Sequence, residues 1–304
     1  MNGIIVLDKP GGFTSFDAVA VLRGLTHQKK IGHTGTLDPM ATGVLPVLLG
    51  RAAKAASLLP DTDKEYRARF RLGERRDTGD VTGQVVAESA APVSREALEQ
   101  VLPRFTGEIS QVPPMYSAVS VGGKRLYELA RKGLEVERPA RKVHISRLVL
   151  ESYDPQSREG VLTVACSKGT YIRTLIEDLS EAAGSLGTMT ALRRVKACGF
   201  SQEDAYSLEE LKALGAQGRL EEALRPVEGL FLEYPVVTVS PAQSSRFQNG
   251  GGLDLGRIRK APRTPGSLCR VHSPEGVFLG LGKVDLEREE LGFVKSFLER
   301  EEQP

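Results

Sequence analysis

A short loop rich in glycine and threonine carries a single carboxylate that could do chemistry. Residues 32–43 contain three glycines, three threonines and one acidic residue, Asp38. Pro39 follows it and biases the backbone of Asp38 toward an extended conformation, which sets the direction of the side chain. A carboxylate held in this way could serve as a nucleophile or a base. An aspartate before a proline is also common in ordinary turns, so this segment alone leaves both interpretations open.

Two basic segments supply further candidate groups. In residues 64–72, Tyr66 lies in register with apolar side chains, while positions 67, 69 and 71 are arginines. This alternation predicts a half-buried strand with an exposed arginine face. Residues 124–147 contain eight basic side chains against three acidic ones. Phosphate contacts give most of the affinity for nucleic acid. The candidates for such contacts are Arg67, Lys124 and Arg125.

Charge is segregated along the chain. The 41 Lys+Arg and 39 Asp+Glu residues leave a net charge of only +2. Acidic residues nevertheless outnumber basic ones eight to three in residues 201–233, and seven to three in residues 285–302. This distribution predicts a basic face that meets a polyanion and acidic segments that face away from it. The alternative is that these segments are ordinary solvated surfaces with no partner.

The hydrophobic pattern predicts the elements that would position these groups. A strand at 3–8 is followed by a helix that begins at Thr14 and Ser15. Pro46 interrupts the apolar run 44–49, so we expect a buried extended segment there rather than a central strand. The other predicted elements are helices at 51–59, 94–102 and 171–183, strands at 64–72, 143–153, 161–167 and 192–200, and a polar helical stretch at 201–233.

Composition excludes several classes of protein. The three cysteines are odd in number and form no CxxC pair, and the four histidines are scattered, so neither a disulfide framework nor a metal cluster is indicated. The sequence contains no run of 18 apolar residues, so we expect no segment that crosses a membrane. Without heptad repeats, a monomer is the default expectation. These features together predict a metal-free cytoplasmic protein.

Six motifs occur in the order found in bacterial tRNA pseudouridine-55 synthases. The resemblance extends over roughly residues 3–230, with a weaker echo at 234–237 and 248–250. The matching motifs are Asp8-Lys9-Pro10, the loop 32–43, Lys64-Glu65-Tyr66, Arg76-Asp77-Thr78-Gly79-Asp80, Pro114-Met115-Tyr116-Ser117-Ala118 and Cys166-Ser167-Lys168-Gly169-Thr170-Tyr171-Ile172-Arg173. The chain is therefore similar to a family that isomerises uridine 55 in the T loop of tRNA to pseudouridine.

The resemblance implies roles for individual residues. Asp38 matches the catalytic aspartate, Arg173 its charged partner, and Tyr66 the tyrosine that stacks on the flipped base and could help to deprotonate C5. His33 is suited to enter the space left by that base or to bond nearby phosphates. Lys9 has two interpretations, contact with RNA or support of the loop backbone. The residues expected to bind the substrate are Lys9, His33, Tyr171, Arg67, Lys124 and Arg125.

The reaction itself sets requirements on the site. Pseudouridine formation breaks the N1–C1′ bond and joins C5 to C1′ with no change in oxidation state, so we expect no cofactor. The sequence indeed has no P-loop and no dinucleotide fingerprint. The catalytic carboxylate must stay ionised in a poorly hydrated pocket, for which an arginine is a natural partner. The uridine must also be extruded from its stack.

The resemblance implies an α+β architecture. We expect the pseudouridine-synthase fold, a mixed and mostly antiparallel sheet flanked by helices, with a small β-rich PUA-like domain at the C-terminus. The predicted catalytic domain spans 1–230, with a thumb-like insertion at 112–142, and the RNA-binding domain spans 231–304. The expected partner is the T arm of tRNA, with no membrane and no required protein partner.

Two other classes of function remain open at this stage. One is an RNA-binding or tRNA-folding protein that uses the same cleft without turnover. Such a binder would have no need to combine Asp38, Tyr66 and Arg173. The other is an aspartyl-nucleophile hydrolase, which is disfavoured because no second acid or metal set accompanies Asp38.

One departure from the family pattern is Thr36, where many relatives have alanine.

Overall fold

A computed structural model describes residues 1–60 and 62–298. The last residues of the acidic segment 285–302 lie outside the described residues. The strands, in chain order, are β1 (Gly3–Lys9), β2 (Ile31–His33), β3 (Thr42–Leu49), β4 (Lys64–Leu72), β5 (Glu74–Arg76), β6 (Val85–Glu88), β7 (Gly107–Gln111), β8 (Ser120–Val121), β9 (Lys124–Arg125), β10 (Arg141–Asp154), β11 (Glu159–Cys166), β12 (Gly187–Ala197), β13 (Phe200–Ser201), β14 (Val236–Thr238), β15 (Leu253–Asp254), β16 (Leu268–His272), β17 (Phe278–Asp285) and β18 (Glu290–Lys295).

Among the described residues, α-helices are fewer than strands. The α-helices are α1 (Ser15–Thr26), α2 (Arg95–Val101), α3 (Leu126–Ala130), α4 (Ile172–Ala182), α5 (Leu208–Ala216) and α6 (Pro241–Gln248). Thr14 caps α1 by accepting from the Asp17 N–H, and the Asp17 carboxylate accepts from the Thr14 N–H in return. Among the described residues, no helix is long and apolar enough to cross a membrane.

One large sheet forms the centre of the fold. Its strands run in the order β1-β3-β12-β4-β11-β10-β7, with β2 on β3 and β13 on β12. Every pair is antiparallel except β3 with β12, which are parallel. The predicted mixed, mostly antiparallel sheet is therefore confirmed, as is the hairpin formed by β10 and β11. Helices α2 and α4 pack their apolar sides on one face.

The alternation predicted for β4 is present. Tyr66, Ala68, Phe70 and Leu72 are buried, and the arginines between them are exposed on the opposite face. Two of these arginines meet carboxylates from neighbouring strands, Arg67 with Glu151 at 2.8 Å and Arg71 with Glu159 at 2.5 Å. Much of the positive charge counted in this segment is therefore neutralised within the sheet.

The prediction that residues 44–49 do not form a central strand is wrong. These residues belong to β3, an internal strand that pairs with β1 from Gly43 to Leu49, with Val6 opposite Pro46. The Pro46 carbonyl points away from β1 and accepts from the Thr34 N–H at 3.2 Å. The N and C=O of one strand residue point the same way. The missing N–H of Pro46 therefore removes no hydrogen bond between β1 and β3.

The acidic stretch 201–233 is only partly the polar helix expected. It contains α5 and short 3₁₀ turns at Gln202–Asp204, Leu220–Ala223 and Val227–Phe231. Several of its apolar side chains are buried, and Leu208, Leu211 and Leu220 pack against β1 and α1. The residues at 51–59 likewise form a 3₁₀ helix, Gly50–Ser57, rather than an α-helix. The acidic stretch thus closes the core on one side while exposing its carboxylates.

A second, smaller sheet follows residue 235. Its strands run in the order β14-β16-β17-β18-β15, parallel between β14 and β16 and antiparallel elsewhere. The sheet has its own apolar core around Phe247 and Val271. Leu281 and Phe297 instead pack into a cluster with Ile4 and Val44 of the large sheet. The C-terminal β-rich unit is therefore joined to the rest of the chain by buried apolar contact.

Gly43 is where β3 approaches β12 most closely. Its φ is +106°, and a Cβ added there would lie 2.2 Å from the Arg194 carbonyl oxygen. We expect Gly43→Ala to lower the free energy of unfolding by about 3 kcal/mol or more, because backbone must shift. The control is Gly218→Ala, at φ +70° with open space around it, which should cost about 1 kcal/mol. Urea denaturation of both variants checks this, and equal losses would contradict it.

Candidate active site

A cavity of about 300 Å³ opens beside the large sheet. The catalytic loop, defined here as residues 32–43, forms one wall, and β4 forms the floor. The start of α4 and the residues before β8 form the other walls. The lining residues are Thr34, Gly35, Thr36, Leu37, Asp38, Lys64, Tyr66, Ser117, Ala118, Ser167, Lys168, Gly169, Thr170, Tyr171, Ile172, Arg173 and Leu192. Asp38, Tyr66 and Arg173, which are far apart in sequence, therefore meet in one place.

Asp38 and Arg173 form an ion pair inside this cavity. The Nη2 atom of Arg173 lies 3.1 Å from Oδ2 of Asp38. The side chain of Arg173 is 6% exposed and that of Asp38 is 38% exposed. A buried cation thus faces a carboxylate that remains open to the cavity. A charge-assisted contact thus holds the carboxylate in place and leaves it accessible to a substrate.

Arg173 is held by backbone groups from two loops. Its Nη1 donates to the Thr78 carbonyl at 2.8 Å, and its Nη2 donates to the Tyr116 carbonyl at 2.9 Å. Asp80, which is 5% exposed, places Oδ2 at 3.9 Å from Nε of Arg173. The guanidinium is therefore fixed on three sides, and one side is left for Asp38.

The start of α4 is fixed by an amide side chain. Gln111 at the end of β7 accepts from the Tyr171 N–H at 3.0 Å and donates to the Tyr171 carbonyl at 3.2 Å. Gln111 is 2% exposed. Because Tyr171 is the residue before α4, this pair of bonds sets where the helix begins and hence where Arg173 projects. Tyr171 itself is half-buried and lines the cavity, as the substrate-binding prediction requires.

Tyr66 presents its ring to the cavity from β4. Burial raises the pKa of its hydroxyl, and the nearby positive charge of Arg194 partly offsets this effect. The hydroxyl is therefore protonated at neutral pH and would have to lose a proton before it could accept one from C5. A flat, neutral ring is well suited to stack on a base.

Several groups brace the catalytic loop from behind. The Leu37 N–H donates to Ser15 Oγ at 2.8 Å. The ammonium of Lys9 donates to the carbonyls of Pro10 at 2.8 Å, Phe13 at 2.6 Å and Pro39 at 3.4 Å. Lys9 is fully buried and does not line the cavity. Of its two interpretations, support of the loop is favoured, and its assignment as a substrate-binding residue is corrected.

His33 lies in β2 beside the cavity rather than in its wall. Its Nδ1 is buried without a hydrogen-bond partner among the described residues. Burial, followed by the charge of Arg194, lowers the pKa of the imidazole. The ring is therefore neutral at physiological pH, which suits insertion between bases better than an ionic contact with phosphate.

The three predicted phosphate contacts fall in different places. The Arg67 assignment stays a prediction: its side chain is 51% exposed on the face opposite Tyr66, where it pairs with Glu151. Lys124 and Arg125 form β9, which pairs with β8 in a two-stranded ribbon within 112–142, and both side chains are exposed. They remain accessible to a polyanion.

Three residues at the site were not assigned a role from sequence. Asp80 and Lys64 lie in motifs that matched the family, but their functions have no sequence signature. The ammonium of Lys64 donates to the Thr62 carbonyl at 2.7 Å at the cavity edge, and burial lowers its pKa. Arg194 is fully buried in β12 and contacts the catalytic loop. A sequence pattern cannot reveal this contact, because 159 residues separate its ends.

A carboxylate, a buried guanidinium and a tyrosine ring around one cavity fit the class of enzyme that the sequence resemblance implies. Solved pseudouridine synthases share this architecture. The Cbf5–Nop10–Gar1 complex matches with a TM-score of 0.75 and 26% identity over 97% of this chain and 85% of that one. An H/ACA RNP bound to a substrate RNA containing 2′-deoxyuridine matches with a TM-score of 0.75 and 25% identity over 99% and 87%. The predicted pseudouridine-synthase fold is confirmed.

Sequence comparison narrows the class to one family. The N-terminal domain of TruB family pseudouridylate synthases matches residues 23–172, and the tRNA pseudouridylate synthase B C-terminal domain matches residues 173–231. A tRNA pseudouridine synthase B from Pseudomonas aeruginosa is 44% identical over 287 residues, 93% of this chain and 92% of the relative. One from Chromobacterium violaceum is 47% identical over 250 residues, 82% and 81%. The chain belongs to the TruB family of pseudouridylate synthases.

Asp80 provides a test of how Arg173 is oriented. Its Oδ1 accepts from the Thr82 N–H and from the hydroxyls of Thr78 and Thr82. We expect Asp80→Asn to keep these contacts in part while removing the charge behind Arg173, and to lower kcat by about 10- to 100-fold with KM little changed. Single-turnover and steady-state kinetics check this. A rise in KM at constant kcat would contradict it.

The buried ammonium of Lys9 should make the free energy of unfolding depend on pH. Burial, with the charge of Arg194, lowers its pKa from 10.5 to about 8. Between these values the unfolded chain binds the proton that the folded chain has lost, so stability contributed by Lys9 rises with pH. We expect the free energy of unfolding, relative to Lys9→Met, to increase from pH 8 to 10.5 by at most about 3 kcal/mol. Denaturation curves at pH 7.5, 9 and 10.5 measure it, and a constant difference would refute the assignment.

Proposed function

We propose that this pseudouridine synthase acts on tRNA and converts uridine 55 of the T loop. The observation that carries the proposal is the meeting of Asp38, Tyr66 and Arg173 in a single cavity of about 300 Å³. That volume is at the lower end of small-molecule sites and suits one extruded base with its ribose. The relatives that match more than nine-tenths of the chain are named as tRNA enzymes.

In the proposed reaction, the uridine leaves its stack and its base lies against Tyr66. Asp38, paired with Arg173, acts at the glycosidic bond as carboxylates do in glycosidases. The N1–C1′ bond breaks, the base turns, and C5 joins C1′. The C5 proton is then released, and N1 gains a proton, so that the product is an isomer of the substrate.

Two unpartnered hydroxyls suit recognition of the base. Oγ of Ser117 and Oγ1 of Thr34 are buried, lack a hydrogen-bond partner among the described residues, and belong to cavity-lining residues. A uracil base offers two carbonyl acceptors and one N–H donor, and each hydroxyl can serve either kind of group. These two residues therefore join the proposed substrate-binding set.

Outside the cavity, contact with the T arm is assigned to exposed cations. Lys124 and Arg125 project from the thumb-like insertion, 112–142, which adjoins the site through Tyr116 and Ser117. The same proposal divides the chain into a catalytic domain, 1–230, and an RNA-binding PUA-like domain, 231–304. Its support is the separate sheet β14–β18. A cytoplasmic monomer that needs no protein partner stays a prediction.

Tritium release tests the proposal directly. An unmodified T-arm stem-loop with [5-³H]uridine at position 55 should lose its label to solvent when the protein is added, and a transcript labelled only elsewhere should not. Asp38→Asn should abolish release while binding the stem-loop as before, because the charge acts in the chemical step. The control is Glu209→Gln, an acid-to-amide change on exposed α5, which should keep full activity. Binding without release by the intact protein would favour a non-catalytic RNA-binding protein.

A further inference from the structure

A second arginine is buried more deeply than Arg173. Arg194 lies in β12 and is 0% exposed. Its guanidinium donates to the carbonyls of Val44 at 2.7 Å, Gly35 at 3.1 Å and Thr36 at 3.4 Å. None of the ion pairs within the described ranges 1–60 and 62–298 involves it. A buried cation without a carboxylate partner is expensive, so its carbonyl contacts are what make the position tolerable.

These carbonyls lie on both sides of Asp38. Gly35 and Thr36 precede the aspartate in the catalytic loop, and Val44 follows the loop in β3. The backbone of β12 adds a second attachment, because Arg193 pairs with Thr42 and Arg194 pairs with Gly43. One side chain and its own backbone therefore hold the two arms of the loop at a set separation. The position of Asp38 between those arms depends on this separation.

Arg194 also contacts the stacking tyrosine. In the register of β4 and β12, Arg194 lies directly opposite Tyr66, which places the two side chains on the same face of the sheet. The guanidinium is close enough to hydrogen-bond the Tyr66 hydroxyl. Arg194 does not line the cavity, because Tyr66 and the catalytic loop lie between the guanidinium and the cavity. Arg194 thus contacts the β4 floor of the site and the wall formed by the catalytic loop, but it does not line the interior.

We propose that Arg194 is a positioning residue for the isomerisation. It fixes the catalytic loop so that the Asp38 carboxylate meets Arg173, and it orients Tyr66 relative to that carboxylate. The inference rests on the roles proposed above for Asp38 and Tyr66. The two arginines then have separate roles. Arg173 contacts the reacting carboxylate, and Arg194 holds the backbone that carries this carboxylate.

Two substitutions test the role. Arg194→Met keeps the length of the side chain but removes its charge and its donors, and Arg194→Lys keeps a charge whose single ammonium cannot reach all three carbonyls. A misplacement of about 1 Å lowers rates by roughly 100-fold, and we expect a loss of that order for Met. For Lys we expect a loss of at least about tenfold. The control is Lys196→Met, which removes an exposed charge from the same strand.

The measurement is single-turnover tritium release at saturating enzyme, with the Kd for the same RNA and a circular dichroism melt for each protein. The expected result is a lower rate with Kd within about threefold of the unsubstituted protein, native spectra, and an unaffected control. Unchanged rates in both Arg194 variants would overturn the proposal. So would parallel losses of rate and affinity, or the loss of native structure in both variants, because Arg194 would then serve binding or folding.

A double-mutant cycle tests the contact with Tyr66. If Arg194 orients the ring through its hydroxyl, Arg194→Lys should lower the rate less in a Tyr66→Phe protein than in the unsubstituted one. Equal losses in both backgrounds would overturn this half of the proposal. Failure of the intact protein to release tritium would instead reject the substrate assignment, so the two failures are distinguishable.

Discussion

A charge that is removed from water must be satisfied by the protein around it, and this constraint organises the site. Arg173 and Arg194 are both buried, and each is surrounded by backbone carbonyls. Those carbonyls come from segments far apart in the chain, so the loops that supply them cannot move independently. The same two cations surround Asp38, directly in one case and through its loop in the other. The hydrogen bonds that solvate the two guanidinium groups therefore also hold the loops of the site in place.

The arrangement also explains why lysines near the site have altered chemistry. Lys9 and Lys64 are buried within reach of Arg194, and for both of them burial followed by that positive charge accounts for the lowered pKa. Lys9 tolerates its position because three carbonyls accept from its ammonium. An interior with several cations and one open carboxylate is suited to a reaction in which a base leaves with negative charge and must be held until it reattaches.

The sequence alone identified the three residues that the structure brings together at the candidate site. Asp38, Tyr66 and Arg173 stood in motifs with a recognisable order, and the alternation of β4 placed Tyr66 on the buried face. The pattern failed where tertiary contacts decide. Pro46 looked incompatible with an internal strand, because only the assembled sheet shows that its missing N–H points away from β1. The pairing of Arg67 with Glu151 was also invisible in the sequence, because 84 residues separate them. The sequence left Lys9 open to both interpretations, and it gave no sign that Arg194 is a support, because backbone carbonyls leave no trace in a sequence.

The parallel pairing of β3 with β12 has a consequence for synthesis on the ribosome. The carbonyl of Val44 and the guanidinium that it accepts from are separated by 150 residues, so the chain carrying Asp38 emerges long before the strand that braces it. Until β12 leaves the exit tunnel, the nascent polypeptide has its aspartate but not its catalytic geometry. A fragment released early would have no competence to rearrange a nucleotide, and activity would be switched on by completion of the central sheet.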